Sequence, residues 1–346
     1  MLLAASALLA IPTVYGKGPA DTNYAIAARW AVGGSGGWDY LAVDASGAHL
    51  FVTRANRVDV IDTVSGTVTG SIADTAGVHG VALAPQLRRG YTSNGGAATV
   101  TAFDLDTLRT LAVGAVSGRN PDAIVFEPSR NHVLTFNGGS SNATVLDAMT
   151  LAVVATIALP DKPEFAVTDG AGRIFVNIES EQGQIVVIDA KTLSVVSTWP
   201  LPGCASPTGL ALDRVHRRLF SVCDAKVMAV TDAATGRHVA SLAIGEHPDA
   251  AAFDPGLGLV FSSNGDGSLT IIREDNADHY RVVATLATQK SARTLALDAK
   301  SHRVYLAAAE FGPAPQASAA VPRPRAPLVA DSFTILVAAV LQAASK

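Results

Sequence analysis

Two histidines (His79 and His247), two cysteines (Cys204 and Cys223) and scattered acids and amides are the residues here with chemistry to offer. The histidines have no third ligand at metal-binding spacing, so the pattern predicts no metal site. Asn264-Gly265-Asp266-Gly267 is too short a loop to supply calcium with six or more oxygens. Asn-Gly is a favoured hairpin turn, and Asn94-Gly95-Gly96 and Asn137-Gly138-Gly139 repeat it. Neither cysteine has an evident histidine beside it. The pattern therefore identifies no enzyme and no cofactor.

What must position these residues is a repeat. An apolar strand ending near an acid or proline, a turn, a second strand, a polar loop, a third strand ending near Asp and then a fourth return seven times. The markers Asp44, Ala84, Glu127, Asp169, Asp213, Asp254 and Asp298 lie 40, 43, 42, 44, 41 and 44 residues apart. The runs are β-rich and bounded by Gly, Asn, Asp or Pro. Gln184-Ile185-Val186-Val187-Ile188-Asp189 is nearly all apolar, so both of its faces must be covered. Four strands per repeat at this period predict an all-β, seven-bladed β-propeller with four antiparallel strands per blade. Blade seven has only three strands of its own before the chain ends. Tyr24 to Val32 is an unassigned strand that resembles the fourth-strand phrase Val282 to Leu286, and pairing it into the last blade closes the ring and covers two bare edges.

The composition agrees. Hydrophobic residues make up 49% of the 346 and charged ones 16%, with 30 glycines, which suits many short buried strands joined by tight turns. A net charge of -4 gives no general field to attract nucleic acid. Residues 1–20 read as a signal peptide and leader. The apolar run from Met1 is too short to span a membrane, and small residues surround a cleavage point near Gly16. Residues 21–346 then form one propeller, expected to be a periplasmic or secreted monomer with no membrane span. A segment at 312–327 carries five prolines in blade seven, which forbid a regular ladder and leave a surface loop, lid or docking loop.

In an exported chain, Cys204 and Cys223 are a candidate bridge. Cys204 precedes the first strand of blade five and Cys223 ends the second, so one hairpin brings both to the same end. The register leaves Cys223 slightly short of Cys204, so the loop from Gly203 to Pro207 must fold back. Two small buried thiols are the alternative.

Ligands of a propeller usually sit over the central channel, on the face that collects the loops entering first strands and those joining second to third strands. The first set supplies Trp38, Asp39, His79, Arg119, Asn120, Asp122, Lys162, Glu164, His247, Asp249 and Arg293. The second supplies Arg54, Asn56, Asn94, Asn137, Asn177, Glu179, Asp224, Asn264 and Asp266. Such a ring could hold a small polar ligand, or simply cap turns and hydrate the mouth.

Ile185 to Asp189 followed by Thr192 and Val195-Val196, Asn120-Pro121-Asp122 running to Pro128, and His247-Pro248-Asp249 resemble the YVTN or YncE-like β-propeller repeat over about residues 24 to 340. Blade two lacks the acidic marker, and blade seven carries the proline insertion. The resemblance implies an exported bacterial binding or interaction protein, mostly without established enzymatic activity, some members having nucleic-acid or surface-layer roles. A non-catalytic propeller binding an unknown small polar ligand or protein partner is the leading expectation. A lactonase-like or lyase-like hydrolase is the rival, and it requires His79, Glu164, Arg119 and His247 to converge. A nucleic-acid binder using Arg54, Arg119, Lys162 and Arg293 is disfavoured by the interleaved acids. Only three tryptophans occur, too few for the docking repeats of quinone-dependent propellers.

Overall fold

Alternating side chains along each strand have to be buried on both sides, and a ring of blades does this. The computed structural model describes residues 23–316 and 324–341. These residues form seven four-stranded antiparallel sheets. Blade 4 is typical, with Pro163–Thr168 innermost, then Arg173–Ile178, Gln184–Asp189 and Ser194–Pro200 outermost. The other inner strands are Leu41–Val43, Val78–Ala84, Pro121–Glu127, Pro207–Asp213, Pro248–Asp254 and Thr294–Asp298. The expected leader lies outside the described residues, as do Pro322 and Arg323 of the proline-rich segment. No helix of the described residues is long and apolar enough to cross a membrane.

Each seam between neighbouring blades holds its own hydrophobic cluster. Blade 4 shows how one strand serves two of them. Val186 and Ile188 pack toward blade 3 with Leu134 and Phe136, while Ile185 and Val187 pack toward blade 5 with Leu210 and Leu219. The unbroken apolar run is thus an ordinary period-two strand with a neighbour on each face.

Polar bonds reinforce the seams. Arg89, Arg173 and Arg218, each opening a second strand, donate to backbone carbonyls in the next blade: Met149, Ala233 and Ala277 respectively. Near the axis Gly209 is required, because a Cβ there would stand 2.6 Å from Ala250 Cα of blade 6.

The ring closes as expected. Tyr24–Ala31 pairs antiparallel with Thr334–Val340 and is the outermost strand of blade 7. Trp30 lies 5.5 Å from Tyr305 across that blade, centroid to centroid. Beyond this strand the chain turns through left-handed glycines at 33, 34 and 36 into blade 1.

Arg54 holds that crossing and is wholly buried. Its guanidinium stacks 3.8 Å above the Phe333 ring and donates to the carbonyls of Gly33 and Ser35. It is a clamp in the 7–1 seam and presents no group to the channel mouth.

Candidate functional site

The inner strands run up to the channel mouth in matched register. The residue five before each repeat marker is Asp39, His79, Asp122, Glu164, Thr208, Asp249 and Arg293 in blades 1 to 7. Each blade therefore places one residue at the same level, titratable in six of the seven, while the Thr208 hydroxyl bonds the Pro248 carbonyl of blade 6. The next position is Tyr40, Gly80, Ala123, Phe165, Gly209, Ala250 and Thr294. Only two of these seven are large, and they come from blades 1 and 4. Their rings meet edge to face with centroids 5.0 Å apart. The pair crosses the axis and forms a floor beneath the polar ring.

The ring is held rigidly. Loops entering first strands accept backbone bonds from loops joining second and third strands of the same blade: Gly95 donates to Gly77, Gly138 to Asn120, Glu179 to Lys162 and Gly265 to His247, at 2.8–3.0 Å. Asn120 and His247 sit in the left-handed region just before a proline, at φ 51° and 53°.

Within the ring His79 Nδ1 lies 2.6 Å from Asp39 Oδ2 and 3.7 Å from Asp122 Oδ1. Arg293 pairs with Asp249 at 3.1 Å. Lys162, on the rim, lies 2.9 Å from Glu164 and also pairs with Glu179. Four ring carboxylates (Asp39, Asp122, Glu164, Asp249) thus face two ring cations, His79 and Arg293, and the Lys162–Glu179 pair cancels itself.

That imbalance shows in the proton affinities. Burial, then the neighbouring Asp39 and Asp122, pushes Asp249 up to about 7 against the pull of Arg293. Burial and adjacent acids likewise raise Asp122 and Glu164. Burial lowers His79, but the Asp39 hydrogen bond and the Asp122 charge overcome it and lift the imidazole to about 9. Tyr40 is raised well above its ordinary value by burial and by the carboxylates over it. Asp122 Oδ1 is buried without a hydrogen-bond partner.

The sequence-based candidates divide on this geometry. His79, Glu164 and Arg293 enter the ring, with Lys162 on its rim. Arg119 and His247 are exposed on the rim, Arg119 bonding the Gly139 carbonyl. Trp38 is half-buried against Phe311 and Phe333 in the 7–1 seam.

The amides are a correction. Expected in mouth loops, Asn94, Asn137, Asn177 and Asn264 lie in second strands and are at most 1% exposed. Asn94 accepts from Thr92 and donates to Thr99 and Thr101, and Asn137 and Asn264 repeat this with their own hairpins. Asn177, one residue out of phase, donates to the carbonyls of Thr208 and Gly209 in blade 5. Their hydrogen-bonding capacity is spent inside the fold.

Pattern reading gathered Asp39, His79, Asp122, Glu164, Asp249 and Arg293 among the loops entering first strands of a mouth ring, but it missed Thr208 and the floor residue Tyr40. Counting five residues back from each marker finds Thr208, and counting four back finds Tyr40. It also gave no metal trio, because the ligands come from different blades. Asp39, His79 and Asp122 place one donor atom each within 4.8 Å, and Asp213, His216 and Glu274 do so on the opposite face. The cysteines do join: Cys204 and Cys223 form a disulfide with Cα atoms 5.3 Å apart, Cys223 pairing with Pro207 while the preceding loop folds back.

A cleft of about 580 Å³ opens elsewhere, between blades 1 and 2 on the opposite face. It is lined by Phe51, Leu83, Leu105 and Leu108 beneath Asp44 and Arg88.

Fold and site together define a seven-bladed β-propeller with a plugged channel and a charged ring over the plug. No protein-family model matches the chain, and no curated protein matches its sequence. Among solved structures it is similar to a chain of Kuenenia stuttgartiensis hydrazine synthase, with a TM-score of 0.69 and 16% identity over 78% of this chain and 92% of that one. It is also similar to a chain of the crystal structure of the mitotic checkpoint complex, with a TM-score of 0.73 and 13% identity over 99% of this chain and all of that one. At such identities the likeness shows the fold alone.

Proposed function

We propose that this protein is an exported, non-catalytic binding propeller whose channel mouth takes a polar ligand or partner group carrying a positive charge. The observation that carries this reading is the ring's surplus of carboxylates over cations above a floor closed by Tyr40 and Phe165. The aromatic pair backs the ring, and buried carboxylates short of counter-charge favour an ammonium or guanidinium group. Of the four residues that a hydrolase of the lactonase type needs, Arg119 bonds the Gly139 carbonyl, His247 neighbours Glu246 and Asp266, and His79 is engaged with Asp39 and Asp122, which favours the binding reading.

Membership of the YVTN or YncE-like group is part of the proposal. Second-strand phrases such as Tyr91-Thr92-Ser93-Asn94 and Phe261-Ser262-Ser263-Asn264, with their Asn-to-hydroxyl networks, support it. The disulfide supports a periplasmic or secreted location, since such bonds persist in oxidising compartments.

The test is calorimetric titration of the full chain with a panel of polyamines and Lys- or Arg-rich peptides, set against acidic peptides of equal length. Binding confined to the cationic set, weakened by D249N and E164Q and falling with salt, is expected. Preference for the acidic set, or indifference to both substitutions, would overturn it.

A further inference from the structure

Two carboxylates on the face opposite the channel mouth are almost fully buried. Asp213 ends the inner strand of blade 5, His216 lies in the turn that follows, and Glu274 is near the end of Ser268–Asn276 in blade 6. The Asp213 and Glu274 side chains are each 2% exposed, while His216 is 45% exposed and stands between them and solvent. Glu274 Oε2 has no hydrogen-bond partner. Its Oε1 lies 3.1 Å from the Tyr280 hydroxyl, whose single proton is also aimed at the Ala277 carbonyl at 2.7 Å. Arg218, which acts on the neighbouring Tyr280, is committed to Asp232, Asp278 and three backbone carbonyls. Two buried negative groups are thus left with one imidazole, an arrangement costly without a further cation.

We propose that Asp213, His216 and Glu274 bind a divalent metal ion that ties blade 5 to blade 6. His216 Nδ1 lies 2.9 Å from Asp213 Oδ2 and 3.4 Å from Glu274 Oε1. Metal–ligand bonds of about 2.0–2.2 Å require donor atoms roughly 3–3.5 Å apart; the Glu274 separation falls in that range and the Asp213 separation just below it. The trio at the mouth fits less well, because its 2.6 Å His79–Asp39 contact is a direct hydrogen bond. Backbone N–H groups of Val215 and His216 fix the direction of the Asp213 carboxylate, as support for a ligand should. One nitrogen and two carboxylates, with the half-exposed histidine leaving room for water, suit zinc or manganese rather than calcium, which collects six or more oxygens.

The experiment uses the full chain stripped with EDTA and titrated with ZnCl2, MnCl2 and CaCl2, read by calorimetry and by melting temperature. One zinc or manganese ion per chain, with a rise in melting temperature, is expected. E274Q and H216A should each weaken binding more than about tenfold. E274Q without metal should melt no lower than the parent, because it removes an unpaired buried charge, so its loss of binding is not a loss of fold. Absence of binding, preference for calcium, or binding that survives E274Q but is lost in D122N at the mouth would each overturn the assignment.

Discussion

The Tyr40 and Phe165 rings meet at 5.0 Å across the axis of the propeller, one from blade 1 and the other from blade 4. Small residues occupy the same position in the other five blades, so no other blade offers a ring at that level. Phe165→Ala should destabilise the protein by about 3 kcal/mol, as large-to-small substitutions in packed positions do. Phe165→Leu, which keeps most of the volume, should cost less than about 1.5 kcal/mol. Urea denaturation of the two variants checks this. Equal midpoints for parent and Phe165→Ala would show that the pair fills nothing that matters.

Ring closure gives the second prediction. Residues 24–31 cover the edge of Thr334–Val340 and place Tyr24, Ile26, Ala28 and Trp30 on the clusters at both seams of blade 7. Deleting them bares a strand edge and two apolar strips, a template for pairing with other chains. The shortened protein should melt well below the parent and elute from size exclusion as aggregates. A monomer with an unchanged melting temperature would contradict the closure.

The ring charges predict a pH dependence with a definite sign. Asp249 has a folded value of about 7, above the roughly 3.9 of an unfolded aspartate. Between those values the folded chain holds a proton that the unfolded chain has lost, so stability falls as pH rises from about 4 to 7. His79, lifted to about 9, acts in the same direction: its contribution is complete below about 6.5 and is lost as pH rises through 9. Asp249→Asn should flatten the lower limb by a few kcal/mol, on the order of the three-unit shift. Thermal melts from pH 4 to 9 on parent and variant read the slopes, and identical slopes would refute the assignment.

Much of the fold was legible because the repeat writes its own turns. Asp62, Asp104, Asp147, Asp189 and Asp232 each end a third strand and accept backbone N–H bonds from the turn that follows. Those local bonds hold the carboxylates below their ordinary range, and local patterns are what sequence reading detects. The site was harder for the opposite reason. Asp39, His79 and Asp122 meet only because three blades turn around one axis, and no spacing within a repeat records that meeting. The asparagines misled because a residue at the end of a second strand and one in the adjoining loop carry the same letters. Only the pairing of Asn94 with Thr99 shows which side of that boundary it occupies.

The disulfide supplies the last prediction. Cys204 and Cys223 lie in the seam between blades 4 and 5, at most 1% exposed, packed with Leu201, Leu210 and Leu219. The loop around Cys204 is fixed independently: its N–H bonds the Leu201 carbonyl, and the N–H of Ser206 bonds that of Ser180 in blade 4. The cross-link therefore anchors the loop entering blade 5, next to Thr208 of the ring. Closing a loop over a separation of 19 residues stabilises by about 3 kcal/mol in the chain-entropy model. Replacing both cysteines with alanine should lower stability by about that amount, with some further loss of packing. Thiol titration in denaturant without reductant, on protein from an oxidising compartment, should find no free thiol. Mass spectrometry of the same sample tests export independently, with a mature terminus expected near residue 17. Two free thiols would remove the bridge, and an intact Met1 on cytoplasmic protein would remove the export proposal.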